Sequence, residues 1–123
     1  MLKKTISDVP SFTAGDLTII REMLHPKNDG DAAPSAYSLA FAELPVGAAS
    51  VPHVLRTSSE LYIILNGEAE IFIADKAEIL RGGDIALVPA GARQFVRNMG
   101  RETLRFYVVV SPPWSEAEEV IED

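Results

Sequence analysis

Apolar residues in this chain come almost only in short runs, rich in β-branched and aromatic side chains and closed off by glycine, proline or asparagine. Residues 17–24 alternate in part between apolar and polar, and residues 37–44 alternate strongly. Further runs follow at 61–65, 69–73, 84–88, 94–98 and 103–110. Runs of this length and composition read as strands. The breaks between them are turn formers: Gly82-Gly83, Pro89-Ala90-Gly91 and Asn98-Met99-Gly100. Asn66-Gly67 predicts a tight hairpin, because both central residues of such a turn favour positive φ. Many short strands with closely spaced turns predict an all-β sandwich or barrel. The stretch 26–34 is polar and reads as an exposed loop without the residue order of a calcium loop.

The 123 residues suit one domain with a single core. Eighteen acidic against eleven basic side chains give a net charge of -7, which argues against a nucleic-acid surface. Part of the acidic excess is terminal, in Glu116, Glu118, Glu119, Glu122 and Asp123, and reads as a contribution to solubility. The absence of cysteine excludes a thiolate nucleophile, a disulfide framework and a sulfur-rich zinc site. Residues 1–10 lack the apolar centre of a secretory signal. No apolar run approaches the ~20 residues that span a bilayer, so the expected setting is cytoplasmic, without a membrane partner.

Two spaced patterns carry the chemistry: Gly47-x5-His53-x-Leu55-x4-Glu60-x6-Gly67, then Gly83-x5-Pro89-x-Gly91-x2-Gln94-x3-Asn98. Together they resemble the two-part signature of the cupin superfamily, G-x5-H-x-H-x3,4-E-x6-G and G-x5-P-x-G-x2-H-x3-N. The glycines, Pro89, His53, Glu60 and Asn98 stand where that pattern has them, whereas Leu55 and Gln94 stand in histidine positions. The resemblance implies an all-β double-stranded β-helix, or jelly-roll barrel, of two antiparallel sheets with one open mouth. The chain 1–123 is then a single domain, with a barrel core at roughly 37–110, an N-terminal strand and loop at 1–36, and a tail at 111–123. In that tail, Ser115-Glu116-Ala117-Glu118 after Pro112-Pro113 forms a capping box and predicts a short C-terminal helix.

The resemblance further implies a divalent metal ion inside the barrel, of the zinc, iron, manganese or nickel kind. His53 and Glu60 fill two of its ligand slots, Gln94 is a third candidate, and Leu55 offers no donor. The amide oxygen of Gln94 is neutral and a weaker donor than imidazole; hydrogen bonding to a ligand, or simple space filling, is an equal alternative for it. His25, ahead of Pro26, is a fourth candidate if the extended strand persists that far. With two histidines in the whole chain, a three-histidine site is excluded. The period of two places Glu60, Tyr62 and Ile64 inward and Leu61, Ile63 and Leu65 outward. It likewise turns Gln94, Val96 and Asn98 inward, with Phe95 and Arg97 outside. Tyr62 is the candidate catalytic or substrate-binding residue beside Glu60. Arg56 and Arg93 flank the motifs and are candidates for selecting an anionic substrate. The outward apolar set requires a cover, either the N-terminal strand or a second subunit in a homodimer.

Two functional classes fit these residues. One is a metal-dependent enzyme of isomerase, oxygenase, decarboxylase or lyase type, acting on a small polar or anionic molecule. The other is a metal-free small-ligand-binding or sensor module, favoured by the reduced ligand set and apolar lining. A purely structural oligomer is neither supported nor excluded.

Overall fold

The computed structural model describes residues 1–122, so Asp123 of the acidic tail lies outside it. Among the described residues the strands are β1 (Phe12–Thr13), β2 (Ile19–Leu24), β3 (Ser38–Leu44), β4 (His53–Leu55), β5 (Ser59–Asn66), β6 (Glu68–Ile73), β7 (Lys76–Arg81), β8 (Ile85–Val88), β9 (Arg93–Asn98), β10 (Leu104–Ser111) and β11 (Glu119–Ile121). They form two antiparallel sheets, ordered β1-β2-β3-β10-β5-β8 and β11-β4-β9-β6-β7. This is the jelly-roll arrangement expected from the sequence, and strands account for most of the regular structure. No helix among the described residues is long and apolar enough to cross a membrane.

The alternation of side chains decides which face each strand buries. Along β10, Leu104, Phe106, Val108 and Val110 are buried, while Arg105, Tyr107 and Val109 between them are partly exposed. Along β5 the buried set is Glu60, Tyr62 and Ile64, and along β9 it is Gln94, Val96 and Asn98, as the period of two requires. Leu44, Ile64, Ile71, Val88, Val96, Leu104 and Phe106 meet between the sheets as one core. Each such side chain contributes roughly 1.5–3 kcal/mol by leaving water.

Asn66-Gly67 is not a hairpin. β5 and β6 lie in different sheets, and the dipeptide carries the chain across from one to the other. Gly67 has φ +98°, and a Cβ there would stand 3.1 Å from the Leu104 Cα, so glycine is required on both counts. The tight hairpin joins β6 to β7 instead, through Ala74, which adopts φ +54° without being glycine. The helix expected in the tail is a single 3-10 turn, Glu116–Glu118, which Ser115 does not cap through its side chain. After it the chain extends again as β11 and pairs with β4. The polar stretch after β2 is likewise not plain loop: a one-turn helix, α1 (Pro26–Asp29), runs into a 3-10 turn, Gly30–Ala32.

Both terminal segments therefore join the sheets, β2 against β3 and β11 against β4. The N-terminal segment also crosses the outer side of β2, where the Arg21 guanidinium donates to the carbonyls of Ile6 and Val9. That cover does not extend to the far edge of the six-stranded sheet. There Ile85 and Leu87 of β8 are 63% and 62% exposed, opposite the outward Ile63 and Leu61 of β5.

Candidate functional site

His53 opens β4 directly opposite Gln94 of β9, which turns both side chains to the interior. Its Nδ1–H donates to the Val51 carbonyl at 2.8 Å, fixing the ring so that Nε2 faces a cavity between the sheets. Two carboxylates stand near Nε2: Glu60 Oε1 at 3.9 Å and Asp16 Oδ2 at 3.8 Å. Glu60 comes from β5, where the pleat aims it inward beside Tyr62. Asp16 comes from the turn between β1 and β2, which lines the same cavity.

That turn is held from both ends. Asp16 Oδ1 accepts the Thr18 backbone N–H at 3.1 Å and its hydroxyl at 2.6 Å. The Asp16 carbonyl accepts the Val51 N–H at 2.7 Å, two residues before His53. The preceding Gly15 packs against β11, where a Cβ would come within 2.6 Å of Ile121 Cδ1. β11 in turn brings Glu119 to the cavity wall, its Oε2 accepting the Trp114 indole N–H at 3.2 Å.

These charges set the protonation of the site. Burial alone would pull the His53 imidazole down, and it is the largest single influence. The Glu60 carboxylate, the Val51 carbonyl and the charge of Asp16 together outweigh it and raise the pKa from 6.5 to about 9. His53 is thus an imidazolium at neutral pH. Burial raises Glu119 above the ordinary carboxylate range, assisted by Asp16 and Glu60 and opposed by Trp114 and His53. Burial likewise raises Glu22, which also lines the cavity. Tyr62 is driven well above its usual value by burial and then by the carboxylates of Glu60, Asp16 and Glu119, so it stays a neutral phenol.

The Tyr62 hydroxyl donates to Gln94 Oε1 at 2.6 Å, and its ring stacks on Phe106 with centroids 5.5 Å apart. The oxygen of Gln94 that a metal would use is therefore engaged, and Gln94 stands behind Tyr62 rather than on the cavity wall. His25 does not reach the cavity either. The backbone does stay extended to His25, one residue past the end of β2, but Nδ1 then caps α1 by accepting the Lys27 N–H at 3.1 Å, while Nε2–H donates to the Trp114 carbonyl at 2.7 Å. Both ring nitrogens are committed. Arg56 and Arg93 are exposed and lie off the cavity wall. With Gln94 turned in, its neighbour Arg93 must turn out, where it pairs with Glu122 at 3.0 Å and lies over the Phe95 ring.

The cavity measures about 180 Å³, with apolar walls from Ala40, Ala42, Phe106 and Val108 facing the charged group. The metal centre implied by the sequence resemblance does not fit this donor set. Leu55 is buried without a donor, Gln94 serves Tyr62, and His25 serves the backbone. Among the described residues no three His, Asp or Glu side chains gather closely enough to enclose a metal ion. Asp16, Glu22 and Glu119 were not predicted from sequence. Glu119 was hidden in a tail whose acids read as solubilising, and the only local sign of Asp16 was the turn-forming Gly15-Asp16 pair.

Comparison with known proteins agrees with this architecture. The family profile described as "Cupin domain" matches residues 40–110. An uncharacterized protein of Methanocaldococcus jannaschii is 29% identical over 123 residues, spanning 99% of this chain and 96% of that one. The crystal structure of a predicted oxalate decarboxylase from Thermotoga maritima superposes with a TM-score of 0.78 at 20% identity, covering 89% of this chain and 98% of that one. Streptomyces PAC13, solved with uridine, gives a TM-score of 0.79 at 15% identity, covering 99% of this chain and 90% of that one. With more than half of its length matched and both sheets in jelly-roll order, this chain belongs to the cupin family.

Proposed function

We propose that this chain binds a small molecule in its barrel cavity through His53 and the carboxylates around it, without a resident metal ion. One observation carries this reading: the buried Nε2 of His53 points into the cavity between Asp16 and Glu60, while the other family ligand positions are closed by Leu55 and by the Tyr62–Gln94 hydrogen bond. The uridine held by PAC13 is consistent with a barrel of this shape accepting a small organic molecule. Chemically, His53 is the group able to hand a proton to a bound molecule, whereas the one proton of the neutral Tyr62 hydroxyl is given to Gln94. A reaction of isomerase or lyase type would use His53 as its acid; a sensor would use the same group only to bind.

A divalent-metal reading is favoured by one feature. With Nδ1–H held by Val51, Nε2 is the nitrogen left to coordinate, and both flanking carboxylates stand within 4 Å. Metal content after purification without an affinity tag separates the two. The expected result is metal well below one equivalent and unchanged in His53→Ala. A near-stoichiometric transition metal that disappears in that variant would overturn the metal-free reading.

We also propose a homodimer through the outer face of the six-stranded sheet. Leu61, Ile63, Ile85, Leu87 and Val109 form a patch without a charged side chain, and β8 leaves it at an open edge. A second copy of the same face matches it apolar to apolar about a two-fold axis.

A further inference from the structure

The side chains around the cavity are unequal in sign. Asp16, Glu22, Glu60 and Glu119 all border it, and among the described residues His53 is the one basic side chain in the wall, with no lysine or arginine. A carboxylate or phosphate entering this space would meet four acidic side chains against the single imidazole of His53, and in a low-dielectric interior the uncompensated part of that repulsion is severe. A positive head meets the opposite situation. It also faces aromatic surface, since the rings of Tyr62, Phe106 and Trp114 line the same space and attract cations through their faces.

A second, independent observation points to a ligand here. His53 is 98% buried, since only 2% of its surface is exposed, and its single hydrogen bond is made by Nδ1. Its Nε2 aims into the cavity with Asp16 at 3.8 Å and Glu60 at 3.9 Å, both beyond hydrogen-bonding distance. The remaining wall is mainly apolar, Ile20, Ala40 and Val110 included, with the hydroxyl residues Thr13, Thr18 and Ser38 among them. A cavity of about 180 Å³ is close to the ~150 Å³ that accommodates a benzene ring.

Resting on the reading of the cavity as a small-molecule site, we infer that its ligand carries a cationic, N–H-bearing head on an apolar body of about one ring. The head lies among Asp16, Glu60 and Glu119, and the body lies against Phe106, Val108 and Ala42. The sequence suggested a small polar or anionic substrate, with Arg56 and Arg93 as candidates for selecting an anion, and the cavity wall favours the opposite sign. Both of those arginines are on the outside.

The test is calorimetric titration at neutral pH with three probes of matched size: benzylamine, benzyl alcohol and benzoate. Benzylamine should bind at least ~10-fold more tightly than benzoate, since one charge-assisted contact is worth about that factor. Asp16→Asn and Glu119→Gln should each weaken benzylamine by roughly 10-fold and leave benzyl alcohol unchanged. Both variants are built to fold: the asparagine keeps the acceptor used by Thr18, and the glutamine keeps the acceptor used by Trp114. Melting curves confirm it. Benzoate binding as tightly as benzylamine, or variants without effect, overturns the inference about charge while the small-molecule cavity stands. Failure of all three probes to bind overturns both.

Discussion

Raising the pH from about 6 to about 10 removes the charge of His53, and the structure sets what that should cost. The imidazole titrates near 6.5 in the unfolded chain and at about 9 in the folded one. A value raised by folding means stability that is fully present below about 6.5 and is lost as pH climbs through about 9. At about 1.36 kcal/mol per pH unit, the separation corresponds to on the order of 3 kcal/mol. For a chain of this size that is a fall of roughly 10 °C in melting temperature. Glu22 and Glu119, raised by burial, lose stability in the same sense as pH rises through their own values, so the wild-type profile alone does not isolate His53. The decisive experiment is urea denaturation across this range in the parent and in His53→Gln. Over this range the parent should lose those few kcal/mol more than the variant does. Proton NMR of the histidine Cε1–H gives a second readout, simple because His25 is the only other histidine. Parallel stability profiles, or a His53 resonance titrating near 6.5, would refute the electrostatic description of the site.

Three further predictions address the family ligand slots, the arginines and the outer face. Replacing both vacant slots, Leu55→His with Gln94→His, should give a protein that retains close to one equivalent of zinc or nickel after dialysis where the parent does not; elemental analysis decides. Arg56→Ala and Arg93→Ala should leave the calorimetric affinity for benzylamine unchanged, because neither side chain borders the cavity. Ile85→Lys combined with Leu87→Lys should turn a dimer into a monomer by light scattering at micromolar concentration, with the circular-dichroism spectrum preserved.

Most of the barrel was legible because the pleat leaves a strand little choice. Once Glu60 faces inward, Tyr62 and Ile64 must follow, and the buried sets of β5 and β9 obey that rule. β7 escaped notice because only Leu80 is buried in it, so its residues show no alternation to read. Asn66-Gly67 misled for a related reason. Local turn chemistry specifies a positive φ at the glycine, but not whether the next strand pairs with the last or crosses to the other sheet. His25 shows the same limit in the site. Its extended backbone was anticipated, yet its ring is claimed by a carbonyl 89 positions away at Trp114. Asp16 and Glu119 are the hardest case, since nothing adjacent to either points toward His53. Only the docking of the β1–β2 turn on Val51 and the pairing of β11 with β4 bring them there.

The chemistry of the cavity is therefore divided between two parts of the chain. The stretch shared with the family, residues 40–110, supplies His53, Glu60 and Tyr62. The segments on either side supply Asp16, Glu22, Trp114 and Glu119. Several carboxylates converging on one partly buried space repel one another, and such a group is stable only with a cation among them. In the protein alone that cation is the protonated His53, flanked by Asp16 and Glu60. Protonation of His53 and docking of the β1–β2 turn are then linked, since each lowers the free-energy cost of the other. A barrel stripped of its terminal segments would keep the imidazole and Glu60 but lose the other acids, and with them the sign of charge that selects a ligand. The shared fold places the acid and the neutral hydroxyl; the two terminal additions determine what kind of molecule they meet.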